Sequence, residues 1–84
     1  MMNFSNGLNA LKLNERIRRS GWNGKGMWLQ LVTADCWSMS SDAIADDSFY
    51  LEKSPWIGMR TADNKFVPWL ASQTDILAED WEIV

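Results

Sequence analysis

Eighty-four residues with 46% hydrophobic side chains, one cysteine, no histidine and a net charge of −3 describe one small domain, residues 1–84, whose thin core no disulfide can reinforce. The absence of histidine removes imidazole bases, Ser–His and Cys–His pairs and His-based metal sites; no apolar run approaches the roughly 18 residues of a membrane span, and Met1–Phe4 lacks the charged and apolar regions of a signal peptide. Residues 1–28 hold five bases against Glu15, a local +4, and the remainder holds three bases against ten acids, a local −7, which argues against a nucleic-acid polymer as partner but leaves cations for one or two phosphates, unless the basic cluster is simply a solvated strand edge.

Asn3 is placed to cap a first helix, with Phe4, Leu8 and Leu11 on one face and an end near Leu13–Asn14. Gly7 inside it costs up to about 1 kcal/mol relative to alanine. Glu15–Trp22 reads as a strand with Ile17 on one side and Arg16, Arg18 and Ser20 on the other; Trp22 shares the arginine side if the strand runs on. Three glycines and an Asn–Gly pair within Gly21–Gly26 mark a tight hairpin turn. The returning strand, Met27–Val32, alternates Met27, Leu29 and Leu31 with Trp28, Gln30 and Val32.

Residues 33–50 read as a loop, or as a weakly formed strand around Cys36–Trp37. Trp56–Thr61 is a third strand, Ala62–Lys65 a turn, and Phe66–Trp69 a fourth strand that Pro68 confines to a sheet edge. Ser72 caps a short helix of about two turns through Ile76, Leu77 and Ala78, with Asp75 at its positive end. Asp80–Val84 alternates as a final strand, with Trp81 and Ile83 facing inward. The fold class is α+β: a small antiparallel sheet with an N-terminal helix and a short C-terminal helix.

Six tryptophans in so short a chain exceed what a core requires, and suggest a pocket for a flat aromatic ligand such as a nucleobase. Two motifs hold the candidates. In Trp22-Asn23-Gly24-Lys25 an indole stacks, an amide meets a base edge, and Lys25 with Arg18 reaches a phosphate; an ordinary hairpin anchored by its tryptophan fits equally. In Trp69-Leu70-Ala71-Ser72-Gln73-Thr74-Asp75 an aromatic precedes a polar helix start, and Asp75 could accept from a ribose hydroxyl or an exocyclic amine; a capped structural helix with Trp69 in the core is the plainer reading. Trp28 serves as pocket wall or core. The acids Asp42, Asp46, Asp47 and Glu52 match no calcium-loop spacing, so neither a metal nor another cofactor is expected.

Gly21-Trp22-Asn23-Gly24-Lys25-Gly26-Met27-Trp28-Leu29 and the long run Met59–Trp81 resemble the Thoeris anti-defence 2 family of small phage and prophage proteins. The resemblance spans nearly the whole chain apart from residues 33–50. Asn64 stands where the family's Asp-Gly-Lys turn leads one to expect glycine. The resemblance implies a homotetrameric, non-enzymatic sponge in the host cytoplasm. Such a protein binds glycocyclic ADP-ribose, and in some members cyclic dinucleotides, without degrading them, so that the Thoeris effector stays off. Carried onto this chain, Trp22, Trp69 and Trp28 would stack or wall the ligand. Asn23, Ser72, Gln73, Thr74 and Asp75 would meet base or ribose, and Arg18 and Lys25 the phosphates. A protein-interaction module with an aromatic patch, and a carboxylate-based hydrolase of the signal, are the alternatives.

Overall fold

A computed structural model describes residues 1–22, 26–37 and 52–84. The first helix, α1 (Phe4–Lys12), starts where Asn3 Oδ1 accepts the Asn6 amide at 2.9 Å. It stops at Asn14, which takes the left-handed conformation (φ 66°). The amides of Asn14 and Glu15 then donate back to Leu11 and Ala10 at 2.9 and 3.0 Å, closing the helix C-terminus in a Schellman arrangement.

Five strands follow: β1 (Ile17–Arg19), β2 (Trp28–Val32), β3 (Trp56–Arg60), β4 (Phe66–Pro68) and β5 (Trp81–Ile83), with a second helix, α2 (Gln73–Leu77), before the last. They form one antiparallel sheet in the order β4-β3-β2-β1-β5, which is the α+β arrangement expected. Alternation decides which side each residue takes. Ile17, Leu29 and Trp81 face α1 and make the core with Ala10 and Leu11, flanked by Leu31, Ile57 and Met59. Gly7 lets the helix sit this close, because a Cβ there would lie 3.0 Å from Ile17 Cδ1 and 3.7 Å from Trp81 Cβ. The residue that costs helix propensity thus permits the packing.

Three expectations are corrected, and one open alternative is decided. The strand expected over Glu15–Trp22 has only three residues, and Ser20–Trp22 is a turn of 3-10 helix. Asp80 is the cause: its carbonyl accepts the Ser20 amide at 3.0 Å, and its carboxylate accepts Gly21 N–H at 3.1 Å and Ser20 Oγ at 3.2 Å. Ile83 shares the Trp81 side but is 50% exposed: β5 ends the sheet, and the Met2 bridge on its outer flank is made at Trp81, two residues before Ile83. The helix expected to run through Ala78 has five residues and ends at Leu77, with Ala78 extended (ψ 150°) as its cap. Ala34–Cys36 is a 3-10 turn rather than a strand. The rest of that stretch, with Asp42, Asp46 and Asp47, lies outside the described residues. Among the described residues no helix is long and apolar enough to cross a membrane.

Candidate functional site

Two surfaces concentrate the aromatic side chains, on opposite faces of the sheet. The first is centred on Trp81, which is wholly buried. Trp22 meets its ring edge-on at 5.5 Å and 81°, and Trp69 at 6.0 Å and 86°. Phe4 of α1 completes the group, 5.5 Å from Trp81 and 5.9 Å from Trp69. Trp22 reaches this position because the 3-10 turn swings it off the line of β1. Trp69 reaches it because its amide donates to Ile57 O at 2.9 Å, extending the β3–β4 pairing by one residue and turning the indole to the same face as Ile57. Both are half-buried, so each indole packs on the core and keeps part of its surface in solvent.

Polar residues bind this group together. The Arg19 guanidinium donates Nη1 to Asp75 Oδ1 at 2.9 Å and Nε to Asp80 Oδ1 at 2.8 Å. These two bonds, the one to Asp80 first, raise the arginine pKa further above its ordinary value. The Asp80 carboxyl is held below its ordinary value by Arg19, with Gly21 N–H and the Ser20 hydroxyl adding to the effect. Asp75 accepts Ser72 Oγ at 2.9 Å through Oδ2, its own amide donates to Ser72 Oγ at 3.1 Å, and its carbonyl accepts Trp81 Nε1 at 2.9 Å. Ser72, Gln73 and Thr74 are exposed beside Trp69.

The second surface is the other face of the sheet. Register places Trp28 and Gln30 of β2, Trp56, Gly58 and Arg60 of β3, and Phe66 and Pro68 of β4 together on it. The Phe66 ring lies over Gly58, where any Cβ would overlap it, between Trp28 at 6.1 Å and Trp56 at 5.9 Å. The Arg16 guanidinium stands 4.1 Å from the Trp28 ring centroid and donates Nε to Gln30 Oε1 at 3.1 Å. Arg60 donates Nη1 to Gly26 O at 2.6 Å. A shallow cavity of about 400 Å³ opens here, lined by Trp28, Gln30, Arg60, Asn64, Lys65 and Phe66.

The residues singled out in the sequence therefore divide. Trp22, Trp69 and Asp75 meet Trp81, Ser72 caps α2 through Asp75, and Gln73 and Thr74 are exposed in its first turn, with the Asp75 carboxylate engaged by Arg19 and Ser72. Trp28 belongs to the opposite face. Arg18 also faces away from the core and pairs Nε with Glu82 Oε1 at 3.0 Å. Asn23 and Lys25 lie outside the described residues. Sequence reasoning missed the Arg19 fork, the aromatic row of Trp56 and Phe66, and Arg60 beside it. Alternation along each strand signalled the row, but only the register shows that the three strands align those positions. Among the described residues no three Cys, Asp or Glu side chains converge as a metal site would require.

A family model described as the Thoeris anti-defense 2-like domain matches residues 2–84. The chain is also 44% identical, over 86 residues covering 99% of it and 94% of the relative, to a protein of Bacillus phage SP01 named Thoeris anti-defense 2.

Proposed function

The chain belongs to the Thoeris anti-defense 2-like family, whose role is phage anti-defence against Thoeris, and from that premise we propose that it acts as a sponge: it binds a cyclic nucleotide signal such as glycocyclic ADP-ribose, or a cyclic dinucleotide, and holds it intact. The observation that carries the reading is the pair of half-buried indoles, Trp22 and Trp69, fixed against one buried partner, Trp81. Stacking surfaces held rigidly before the ligand arrives lose little entropy on binding. Base stacking contributes about 1–3 kcal/mol per base.

In this reading Asn23, Ser72, Gln73, Thr74 and Asp75 meet base and ribose and Lys25 meets the pyrophosphate, while Arg18 and Trp28, on the other face of the sheet from the two indoles, reach the phosphates and the wall of a site only from another protomer. Arg18 must then exchange its Glu82 partner for phosphate, which is feasible because the pair is partly exposed and such pairs contribute about 0–1 kcal/mol. Protomers assemble as a homotetramer in the host cytoplasm, and no bond of the ligand is broken.

A second reading, a protein-interaction module, is favoured by one observation: Leu70 is 93% exposed and Leu77 76%, and both, with Ile76, lie on the segment that follows Trp69. Capture and release separates the readings. The protein is incubated with glycocyclic ADP-ribose, separated from free ligand, heat-denatured, and the supernatant analysed. Recovery of intact ligand is the expected result. Disappearance of the ligand would point to a hydrolase, and absence of uptake across a panel of cyclic nucleotides to the interaction module.

A further inference from the structure

Arg19 makes no part of the stacking pair, yet its guanidinium links the two segments that carry it. Through Nε it holds Asp80, whose carboxylate in turn fixes the Gly21 amide and the Ser20 hydroxyl, the two residues before Trp22. Through Nη1 it holds Asp75, whose other oxygen accepts the hydroxyl of Ser72, three residues after Trp69. The fork thus ties the turn that carries Trp22 to the helix cap that follows Trp69, across the edge of Trp81.

We propose that Arg19 is the positioning residue of the binding site: by bridging Asp75 and Asp80 it sets the separation and tilt of Trp22 and Trp69. This rests on the reading that the ligand lies against those two indoles. The geometry calls for arginine specifically. Two donors diverging from one planar group reach two carboxylates on different segments, and both bonds lie within the 2.7–2.9 Å range of charge-assisted contacts. A lysine ammonium is a point charge on a flexible stem and satisfies one carboxylate well at the expense of the other. The side chain is mostly shielded, 21% exposed against 18% for Asp75 and 27% for Asp80, so the bridge is less weakened by solvent than an open surface pair. Removing it also leaves two carboxylates facing each other.

The test compares Arg19→Gln and Arg19→Lys with the wild-type full chain, by amide hydrogen exchange without ligand and by calorimetric titration with glycocyclic ADP-ribose. In Arg19→Gln the amides of Gly21, Asp75 and Ile76 are expected to exchange at least tenfold faster, while those of Leu29 and Met59 in the central strands change less than threefold. Affinity for the probe is expected to fall at least tenfold, and Arg19→Lys to recover less than half of that loss on a logarithmic scale. Uniform acceleration over sheet and helix, or none, overturns the proposal, since it makes Arg19 an ordinary stabilising residue. So does selective acceleration with unchanged affinity, or full recovery by lysine. If the wild-type protein takes up no glycocyclic ADP-ribose, the sponge reading falls, and the exchange pattern alone still decides whether Arg19 joins the two segments.

Discussion

Trp81 donates its indole N–H to the carbonyl oxygen of Asp75 at 2.9 Å, so the largest wholly buried side chain of the core also holds the short helix that borders the candidate site. Core packing and site geometry are therefore coupled through one residue. Trp81→Phe removes this bond and part of the buried ring, while the Asp75 carbonyl keeps the Ala78 amide at 3.3 Å as a partner. The expected loss is about 1–3 kcal/mol in urea unfolding, with faster amide exchange in α2 than in β2.

Gly7 offers a second test of close packing. Alanine at a helix interior is worth up to about 1 kcal/mol over glycine, which would make Gly7→Ala stabilising on propensity alone. The new Cβ, however, meets Ile17 Cδ1 at 3.0 Å, and Ile17 is wholly buried, so it must shift within a close-packed core to make room. Overpacking of this kind costs about 1–3 kcal/mol, so Gly7→Ala is expected to destabilise. Ile17→Val deletes the atom that is struck. The double variant should then be more stable than the sum of the two single effects predicts, as a double-mutant cycle in denaturant would measure.

Asn64 occupies the left-handed region (φ 65°) in the turn between β3 and β4, closed by Thr61 N–H to Lys65 O at 2.8 Å. Asparagine tolerates that backbone better than most residues, and glycine better still. Asn64→Gly is expected to leave stability unchanged or raise it by up to about 0.5 kcal/mol, and Asn64→Ala to lower it by about 1 kcal/mol. Thermal denaturation of the two variants side by side gives the order, which should be Gly, Asn, Ala.

These three sites also mark what the sequence made legible. The helix cap at Asn3, the alternation of β2, the Asp-Asn turn and the edge position of Pro68 follow from local chemistry, and each appears in the structure. The early end of β1 does not, because its cause, Asp80, lies sixty residues away along the chain. The same long-range contact turns Trp22 toward Trp81 rather than along the arginine side. Ser72 as a cap was legible from spacing, whereas the engagement of Asp75 by Arg19 depends on a pairing that only the folded sheet creates. The aromatic row of Trp28, Phe66 and Trp56 needed the inter-strand register, which no single strand encodes.

Acid should loosen the site in a defined window. Asp80 titrates below its ordinary value in the folded state because Arg19 donates to its carboxylate. Its stabilising contribution is therefore complete above about pH 4–5 and is lost as pH falls through the depressed native value. Stability is expected to be flat in this respect from pH 5 to 7 and to decline below pH 4. Asp80→Asn should be less stable at pH 7 and should show a shallower decline in acid, as denaturant melts at pH 7, 5, 4 and 3 would report. An equally steep acid limb in the variant would place the titrating group elsewhere.

Separating stacking from packing at Trp22 requires a substitution that keeps the contact with Trp81. Trp22→Ala removes both, because the two rings meet edge-on at 5.5 Å, and a loss of binding would then be indistinguishable from a loosened core. Trp22→Leu retains an apolar side chain against Trp81 while deleting the flat surface that a base needs. Its expected cost in stability is about 1–2 kcal/mol, enough to lower the unfolding midpoint without unfolding the domain. If an adenine stacks on this indole, the lost 1–3 kcal/mol weakens capture of glycocyclic ADP-ribose by roughly 5- to 150-fold. Trp69→Leu should behave the same way. Trp56→Leu, at a position given no ligand contact, should leave affinity within about twofold of wild type, since substitutions away from such contacts change free energies by less than about 0.5 kcal/mol. Full affinity in both Trp22→Leu and Trp69→Leu, together with a loss in Trp56→Leu, would move the site from the Trp81 edge to the open aromatic face.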